Sequence, residues 1–156
     1  MTKKQFMKEA VNAALKGMEL EHGGPFGCVI VKDGKIVGKG HNKVTTNHDP
    51  TAHGEVMAIR DACKNLNSHE LKGCELYTSC EPCPMCLGAI YWARLDKVYY
   101  GSTQVDAAEA GFDDQFIYDE IPLPYTERKI PFEQLADDIA QEPFKIWKDK
   151  EDKTLY

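Results

Sequence analysis

Two short groups of residues in this sequence combine side chains that bind metals with one that transfers protons. His53 and Glu55 are separated by one residue, and Cys83 and Cys86 are separated by two. Imidazole and thiolate are preferred ligands of zinc, and a site with three protein ligands leaves a fourth position for water. The two groups together therefore predict one catalytic zinc ion per chain, held by His53, Cys83 and Cys86.

Each group has another interpretation when it is taken alone. A Cys-x-x-Cys pair is also typical of redox proteins and of structural zinc sites with four cysteines. The redox interpretation does not explain His53 or Glu55, and a four-cysteine site needs a second, separated pair that this sequence lacks. A non-catalytic zinc protein with the same three ligands stays an alternative. Glu55 argues against it, because a structural site has no use for a carboxylate at that position.

Both groups lie where we predict that a helix begins. Asp49 and Pro50 are a typical cap and first-turn pair, so we expect a helix from Pro50. Its predicted core-facing stripe is Ala52, Val56, Ile59, Cys63 and Leu66. Pro84 predicts the start of another helix, which extends to about Arg94. The exposed N–H groups of a helix start stabilise thiolates, which suits a metal site.

The remaining patterns predict strands and further helices around this site. Thr2 and Gln5 fit a capping box for a first helix. Its apolar face is Phe6, Ala10, Ala14 and Met18. We predict strands over 26–31, 36–40, 75–79 and 97–101. Residues 32–35 predict a hairpin turn between the first two strands, and a helix between the last two predicts a parallel pair.

No linker or repeat divides the chain, so we expect one domain over residues 1–156. Beyond Gly101, short helices are predicted over 103–110, over 132–140 and after Pro143. The expected fold class is α/β, with a mixed sheet and helices on both faces.

Composition and charge exclude several classes of protein. Apolar residues make up 42% and charged residues 28%, and no apolar run approaches the roughly 20 residues of a membrane-spanning helix. The N-terminus lacks the features of a secretory signal, so we expect a cytoplasmic protein without a membrane partner. Residues 106–156 carry 6 basic and 14 acidic side chains, against 13 and 11 in residues 1–105. An acidic final third argues against a nucleic-acid partner and favours a small molecule.

The other cysteines and histidines have simpler interpretations. Three cysteines are predicted to be small buried residues: Cys28, Cys63 and Cys74. Cys80 ends a strand, and we interpret it as a buried structural thiol and not as a ligand. The remaining histidines are interpreted as loop or helix-end residues: His22, His41, His48 and His69.

The motifs resemble those of a known superfamily of zinc enzymes. Residues 51–55 (Thr-Ala-His-Gly-Glu) and 79–86 (Ser-Cys-Glu-Pro-Cys-Pro-Met-Cys), with 87–94, are similar to the cytidine/deoxycytidylate deaminases. Residues 24–27 (Gly-Pro-Phe-Gly), Asn42 and residues 106–114 (Asp-Ala-Ala-Glu-Ala-Gly-Phe-Asp-Asp) give a closer resemblance to the small bacterial guanine deaminases. The resemblance extends over nearly the whole chain and implies a cytidine-deaminase-like three-layer fold.

The resemblance also implies a reaction. Zinc would bring the pKa of a bound water towards about 7, and Glu55 would carry a proton from that water to a ring nitrogen and to the leaving amine. For guanine the attack would fall on C2 and release xanthine and ammonia. Alternatives within the same chemistry are guanosine deaminase, cytosine deaminase and tRNA adenosine deaminase.

The substrate contacts and the assembly are further implications of the resemblance. The implied substrate-binding residues are Asn42, Phe26, Gly54, Trp92, Asp114 and Tyr156. All of them except Gly54 have a simpler alternative: a loop-capping asparagine, core aromatics, a solvated acidic loop or a frayed chain end. Gly54 departs from the alanine that is more usual in the family. We also expect a homodimer, in which the acidic segment from about residue 106 closes its own pocket or that of the partner subunit.

Overall fold

The computed structural model describes residues 1–156, which divide into two units, Met1–Asp114 and Gln115–Tyr156. The helices of the first unit are α1 (Lys3–Glu19), α2 (Val44–Asn47), α3 (Gly54–Leu66), α4 (Pro84–Trp92) and α5 (Gln104–Glu109). Its strands are β1 (Gly27–Lys32), β2 (Lys35–His41), β3 (Cys74–Cys80) and β4 (Lys97–Ser102). The second unit contains α6 (Gln115–Glu120), a 3-10 turn (Tyr125–Glu127), α7 (Asp137–Ala140) and α8 (Glu142–Asp149). One domain over 1–156 stays a prediction.

The four strands form one mixed sheet in the order β2-β1-β3-β4. Strand β1 is antiparallel to both β2 and β3, whereas β3 and β4 are parallel and α4 connects them. Asp33 and Gly34 both have positive φ, at 48° and 75°, as a tight two-residue hairpin turn requires. The predicted α/β class, the hairpin and the parallel pair are confirmed.

Alternate residues of β1 face two separate apolar clusters. Cys28 and Ile30 pack with residues of α3 and α4 on one face of the sheet. Val29 and Val31 pack on the other face, where α1 contributes Phe6. Because successive side chains of a strand point to opposite faces, this alternation places helices on both sides, as predicted.

Helix α3 lies unusually close to β2. A Cβ atom on Gly40 would fall 2.4 Å from the backbone nitrogen of Ala58, and one on Gly38 would fall 2.6 Å from the Ala58 carbonyl oxygen. Ala58 and Ala62 are consequently the fully buried side chains in the middle of α3. The core-facing side of α3 therefore differs from the predicted stripe. Of the predicted residues, Ile59, Cys63 and Leu66 are only partly buried and pack at the margin of the core.

The predicted start of this helix is wrong. The helix begins at Gly54, and His53 takes the N-cap position in extended conformation, with φ −72° and ψ 157°. Asp49 instead caps a turn, since its Oδ1 accepts bonds from both the N–H and the hydroxyl of Thr51 at 2.8 and 2.7 Å. An aspartate followed by proline favours a turn as readily as a helix start.

In the second unit, the helix predicted over 132–140 is wrong in its first half. Helix α7 comprises Asp137–Ala140 only, because Ala136 adopts a left-handed conformation with φ 52°. The helix predicted after Pro143 is confirmed as α8, in which Pro143 occupies the first turn. None of the helices combines the length and apolar character needed to span a membrane.

Candidate active site

Two helix starts bring the three predicted metal ligands together. His53 is the N-cap of α3, and Cys83 is the N-cap of α4, where Pro84 follows as the first helical residue. Nδ1 of His53 lies 3.5 Å from Sγ of Cys83 and 3.5 Å from Sγ of Cys86. The sequence separation of 30 residues between His53 and Cys83 is closed by the packing of α3 and α4 on the same face of the sheet.

The electrostatics of these groups favour a thiolate at the site. Hydrogen bonding with Cys86 and with His53 lowers the pKa of Cys83 to about 4. The same contact with Cys83, together with burial, raises the pKa of Cys86. Hydrogen bonding with Cys83 raises the pKa of His53. Cys83 therefore carries negative charge beside the imidazole, as a ligand of a divalent cation must.

The donor set fits zinc. One imidazole nitrogen and two sulfur atoms lie within 4.8 Å of one another, which matches the three protein ligands of catalytic zinc sites. Cys80 is outside this group. Its Sγ lies 3.6 Å from the Thr103 carbonyl oxygen, and burial raises the pKa of this thiol to about 11. Cys80 thus stays a neutral buried thiol, in agreement with its predicted structural role.

Glu55 lies beside the ligand group with its side chain almost fully buried, at 5% exposure. Its Oε1 accepts a hydrogen bond from the Thr78 hydroxyl at 2.8 Å, and its Oε2 lies 3.2 Å from Sγ of Cys86. The carboxylate also stands in the first turn of α3, where the helix dipole stabilises negative charge. A buried carboxylate in this place can receive and return protons next to a metal.

Three predicted substrate-binding residues lie together: Phe26 just before β1, Asn42 just after β2 and Gly54 at the start of α3. The backbone N–H of Asn42 donates to the Phe26 carbonyl oxygen at 2.9 Å. A Cβ atom on Gly54 would fall 3.2 Å from the same oxygen. Asn42 is buried, and its Oδ1 accepts a hydrogen bond from the N–H of Val44 at 3.0 Å. Asn42 therefore does cap a loop, and its carboxamide NH₂ group makes no hydrogen bond within the protein.

The segment after α5 extends this region. Phe112 packs edge-to-face on Phe26, with ring centroids 4.9 Å apart. Asp114 has a buried carboxylate oxygen, Oδ1, without a hydrogen-bond partner. Burial raises the pKa of Asp114, and the charge of Cys83 acts in the same direction. An unsatisfied buried acceptor near the predicted ligands is a feature to expect where a polar ligand binds.

The two remaining predicted substrate-binding residues are exposed aromatic side chains. Trp92 ends α4 with 63% of its surface exposed, and the Arg94 guanidinium lies over its ring. Tyr156 belongs to the second unit, and its side chain is 74% exposed. Substrate binding by these two residues stays a prediction.

Two contributors were not predicted from the sequence. Thr78 occupies an inward-facing position of β3, and a polar residue in an otherwise apolar stripe of a buried strand is the only available signal for it. Phe112 lies in a segment that the resemblance includes, but its contact with Phe26 joins residues 86 positions apart.

Comparisons with known proteins agree with this geometry. Residues 1–102 match the family model described as the cytidine and deoxycytidylate deaminase zinc-binding region. The chain is 56% identical to the guanine deaminase of Bacillus subtilis over 156 residues, which is the full length of both proteins. It is 39% identical to the tRNA-specific adenosine deaminase of Aquifex aeolicus over 148 residues, covering 93% of this chain and 95% of that protein.

Solved structures give the same result. The X-ray structure of the guanine deaminase from B. subtilis superposes with a TM-score of 0.97, covering 100% of this chain and 99% of that one. A guanine deaminase from Nitrosomonas europaea, 28% identical, superposes with a TM-score of 0.69 over 72% of this chain and 65% of that one. The predicted three-layer fold is thereby confirmed. From the family match and the full-length identity, this chain belongs to the family of cytidine and deoxycytidylate deaminases.

Proposed function

We propose that this protein is a guanine deaminase, a zinc-dependent hydrolase that converts guanine and water into xanthine and ammonia. The observation that carries the proposal is the Glu55 carboxylate, buried 3.2 Å from Cys86 Sγ and bonded to the Thr78 hydroxyl. A purely structural zinc site would leave this buried charge without a role. The choice of guanine is supported by the full-length similarity to the B. subtilis enzyme.

His53, Cys83 and Cys86 would hold the zinc ion, whose Lewis acidity makes water acidic enough to act as a nucleophile near neutral pH. Glu55 accepts a proton as water adds to C2 of guanine. The same carboxylate delivers this proton to a ring nitrogen. It then transfers the remaining proton of the added hydroxyl to the departing amino group, so that the C2 carbonyl forms and ammonia leaves as a neutral molecule. Thr78 holds Oε1 of Glu55 during these transfers, which keeps the carboxylate in one orientation.

Asn42, Phe26 and Asp114 would bind the base. The carboxamide NH₂ of Asn42 is available to donate to an acceptor of the purine, because its Oδ1 is already bonded to Val44. The Phe26 ring, held edge-on by Phe112, offers an apolar surface for stacking. The unpartnered Oδ1 of Asp114 can accept a hydrogen bond from the ring N–H or the amino group of guanine.

The remaining predicted contacts belong to this proposal as well. Gly54 leaves room beside the Phe26 backbone at the start of α3, where a side chain would narrow the pocket. Trp92 and Tyr156 are both exposed aromatic residues, and we keep them in the proposal as contacts to the base.

We further propose a cytoplasmic homodimer. Helix α4 exposes three large apolar side chains, Leu87, Tyr91 and Trp92, at 41%, 72% and 63%, which favours burial against a second copy. In this dimer the acidic C-terminal segment of one subunit closes the pocket of the other, with Tyr156 over the bound base.

A second candidate function is tRNA adenosine deamination, which the 39% identity to the A. aeolicus enzyme favours. The charge distribution disfavours it, since residues 106–156 carry 14 acidic and 6 basic side chains. A protein that binds a tRNA needs a basic surface to neutralise its phosphates.

The test is ammonia release by the zinc-loaded protein with guanine, guanosine, cytosine and a tRNA substrate in parallel. We expect guanine to be deaminated well above the other three. A preference for guanosine or cytosine would keep the zinc chemistry and contradict the pocket assignment. Inosine formation in tRNA would favour the second candidate, and no turnover of any substrate would favour a structural zinc.

A further inference from the structure

Two histidines outside the zinc site form a direct pair. Nδ1 of His22 lies 2.8 Å from Nε2 of His41, and the two ring planes differ by 19° with their centroids 5.1 Å apart. A hydrogen bond between two imidazoles needs one nitrogen that carries a hydrogen and one that does not. The pair therefore forms when at most one ring is cationic, and a second proton removes the acceptor and places two positive charges side by side.

The pair joins two segments that are distant in sequence. His22 follows α1, and its N–H donates to the Gly17 carbonyl oxygen at 2.9 Å. His41 is the last residue of β2, and its ring lies directly on Gly17, where a Cβ atom would fall 2.6 Å from Cδ2. The contact thus fixes the end of β2 against the C-terminal end of α1.

Residue Asn42 lies immediately beyond this contact. A Cβ atom on Gly23 would fall 2.2 Å from Oδ1 of Asn42 and 3.1 Å from its carbonyl oxygen, so the backbone of Gly23 rests directly on Asn42. The His22 carbonyl oxygen accepts bonds from the Thr45 hydroxyl at 2.9 Å and the Thr46 N–H at 3.2 Å. The His22–Gly24 segment therefore forms a cover over Asn42 that the histidine pair holds in place.

We propose that His22 and His41 are positioning residues that hold the His22–Gly24 segment against Asn42 through one shared hydrogen, and that this contact sets the affinity for the nucleobase. The inference rests on the proposed function, because it takes Asn42 as a substrate-binding residue. When both rings are protonated the contact opens, and base binding weakens more than the chemical step does.

The charges around the pair oppose the second proton. Burial lowers the pKa of His41, and the positive charges of Lys43, of His22 when it is protonated, and of Lys16 act in the same direction. A cavity of about 330 Å³ beside His41 is lined by further charged side chains: Lys39, Arg60, Asp61 and Lys64. Asp61 is the only carboxylate among them, and its Oδ2 is occupied by the Lys39 backbone N–H at 2.9 Å. The contact should therefore persist at neutral pH and open below the ordinary histidine value of about 6.5.

The first test measures KM and kcat for guanine on the zinc-loaded enzyme between pH 8 and 5.5. His22→Asn and His41→Gln together replace both ring nitrogens by amide groups that bond without titrating, whereas His41→Leu removes the bond. We expect the wild-type KM to rise at least about fivefold towards pH 5.5 relative to the amide variant, with kcat changing in parallel in the two proteins. His41→Leu should have a raised KM at every pH, and His69→Gln, an exposed histidine, should behave as the wild type.

The second test does not depend on activity. It uses NMR of ¹⁵N-labelled, zinc-loaded protein. The chemical shifts of the His22 and His41 ring nitrogens show whether the hydrogen is shared, and those of the Gly23 and Asn42 amides show whether the His22–Gly24 segment stays on Asn42. We expect these amides to shift with the second protonation of the pair in the wild type and not in the amide variant. The proposal would be overturned if the Gly23 and Asn42 amide signals did not shift when the histidine pair takes up its second proton. It would also be overturned by a KM for His41→Leu within twofold of the wild type at every pH. If guanine is not turned over, the proposed function fails and the amide signals alone decide whether the pair holds Asn42.

Discussion

The two oxygens of the Glu55 carboxylate have different neighbours. Oε1 is bonded to the Thr78 hydroxyl, and Oε2 lies near Cys86 at the zinc-ligand group. This division of contacts leaves Oε1 fixed by the Thr78 hydroxyl and Oε2 beside the predicted zinc ligands. Three predictions follow at the scale of single residues.

Replacing Glu55 by glutamine should abolish turnover and keep the metal. Glutamine has nearly the same shape, so the fold and the ligands stay, but an amide cannot accept a proton from water. We expect a loss of about 10²–10⁴-fold in kcat, the usual contribution of a positioned acid–base group. Ammonia release and zinc content measured on the same sample check this, and residual activity within tenfold of the wild type would contradict the mechanism.

Removing a predicted zinc ligand, in contrast, should abolish metal binding as well as turnover. With Cys83→Ala, the thiolate that pairs with the imidazole is lost, so bound zinc and activity should disappear together. Cys80→Ala is the matched control, because this neighbouring thiol is buried, neutral and outside the ligand group. Metal analysis after exhaustive dialysis is the measurement, and a full equivalent of zinc in Cys83→Ala would show that the ligand set is wrong.

Thr78 should matter through its hydroxyl alone. In Thr78→Val the side chain keeps its shape, and Oε1 of Glu55 loses its donor inside the protein. We expect kcat to fall by about 10–100-fold with a smaller change in KM, because the proton-carrying group is displaced. Thr78→Ser retains the hydroxyl and should stay within about threefold of the wild type. Equal kcat values for the valine and serine variants would remove Thr78 from the mechanism.

At the scale of elements, the site depends on how closely α3 lies on β2. Helix α3 begins at the residue after His53, so the distance between helix and sheet determines where His53 and Glu55 lie. Small residues on both elements, Gly40 and Ala58 above all, permit this close approach.

The substitution Gly40→Ala should therefore damage both stability and activity. The added methyl would meet the Ala58 nitrogen at 2.4 Å and the Gly54 carbonyl oxygen at 2.6 Å, both of them backbone atoms of the segment that must shift. We expect a loss of about 2 kcal/mol or more in the free energy of unfolding, measured by urea denaturation, and a lower kcat. Lys35→Ala, at an exposed position of the same strand, should change stability by less than about 0.5 kcal/mol. A Gly40→Ala protein as stable as the wild type would show that α3 can move without cost.

At the scale of the whole molecule, the acidic charge and the predicted zinc ligands lie in different parts of the chain. The charges that make the chain acidic are concentrated in residues 106–156, whereas the sheet and the zinc ligands belong to residues 1–114. In the proposed dimer, Tyr156 of one subunit completes the pocket of the other, and this exchange makes a prediction about mixed dimers.

Two inactive variants should restore each other. A Glu55→Gln chain has an intact C-terminal segment, and a Tyr156→Ala chain has an intact Glu55. Each homodimer should be poorly active, but a co-expressed heterodimer contains one pocket with Glu55 and the partner's Tyr156. We expect up to about half of the wild-type kcat per heterodimer, because one of the two sites is complete. Ammonia release no higher than the sum of the separate variants would contradict exchange.

Much of the fold and most of the zinc site could be predicted because their signals are local. Cys83 and Cys86 are three residues apart at a helix start marked by Pro84, and residues 32–35 carry the local signal of the hairpin turn. The start of α3 could not be predicted correctly, because Asp49 and Pro50 suit a turn as well as a helix. The same limit applies to the helix predicted over 132–140. The apolar pattern does not show that Ala136 takes a left-handed conformation, after which the helix begins only at Asp137.

The sequence by itself determined the α/β scaffold and the chemistry that we propose for it: a zinc ion on His53, Cys83 and Cys86, and a proton carrier in Glu55. These features follow from residue types and short spacings, which act through bonds and contacts within a few residues. Only the tertiary structure decided which distant groups meet: Thr78 with Glu55, Phe112 with Phe26, and His22 with His41. Such pairs depend on how the helices pack on the sheet, and packing results from the whole set of side chains at once.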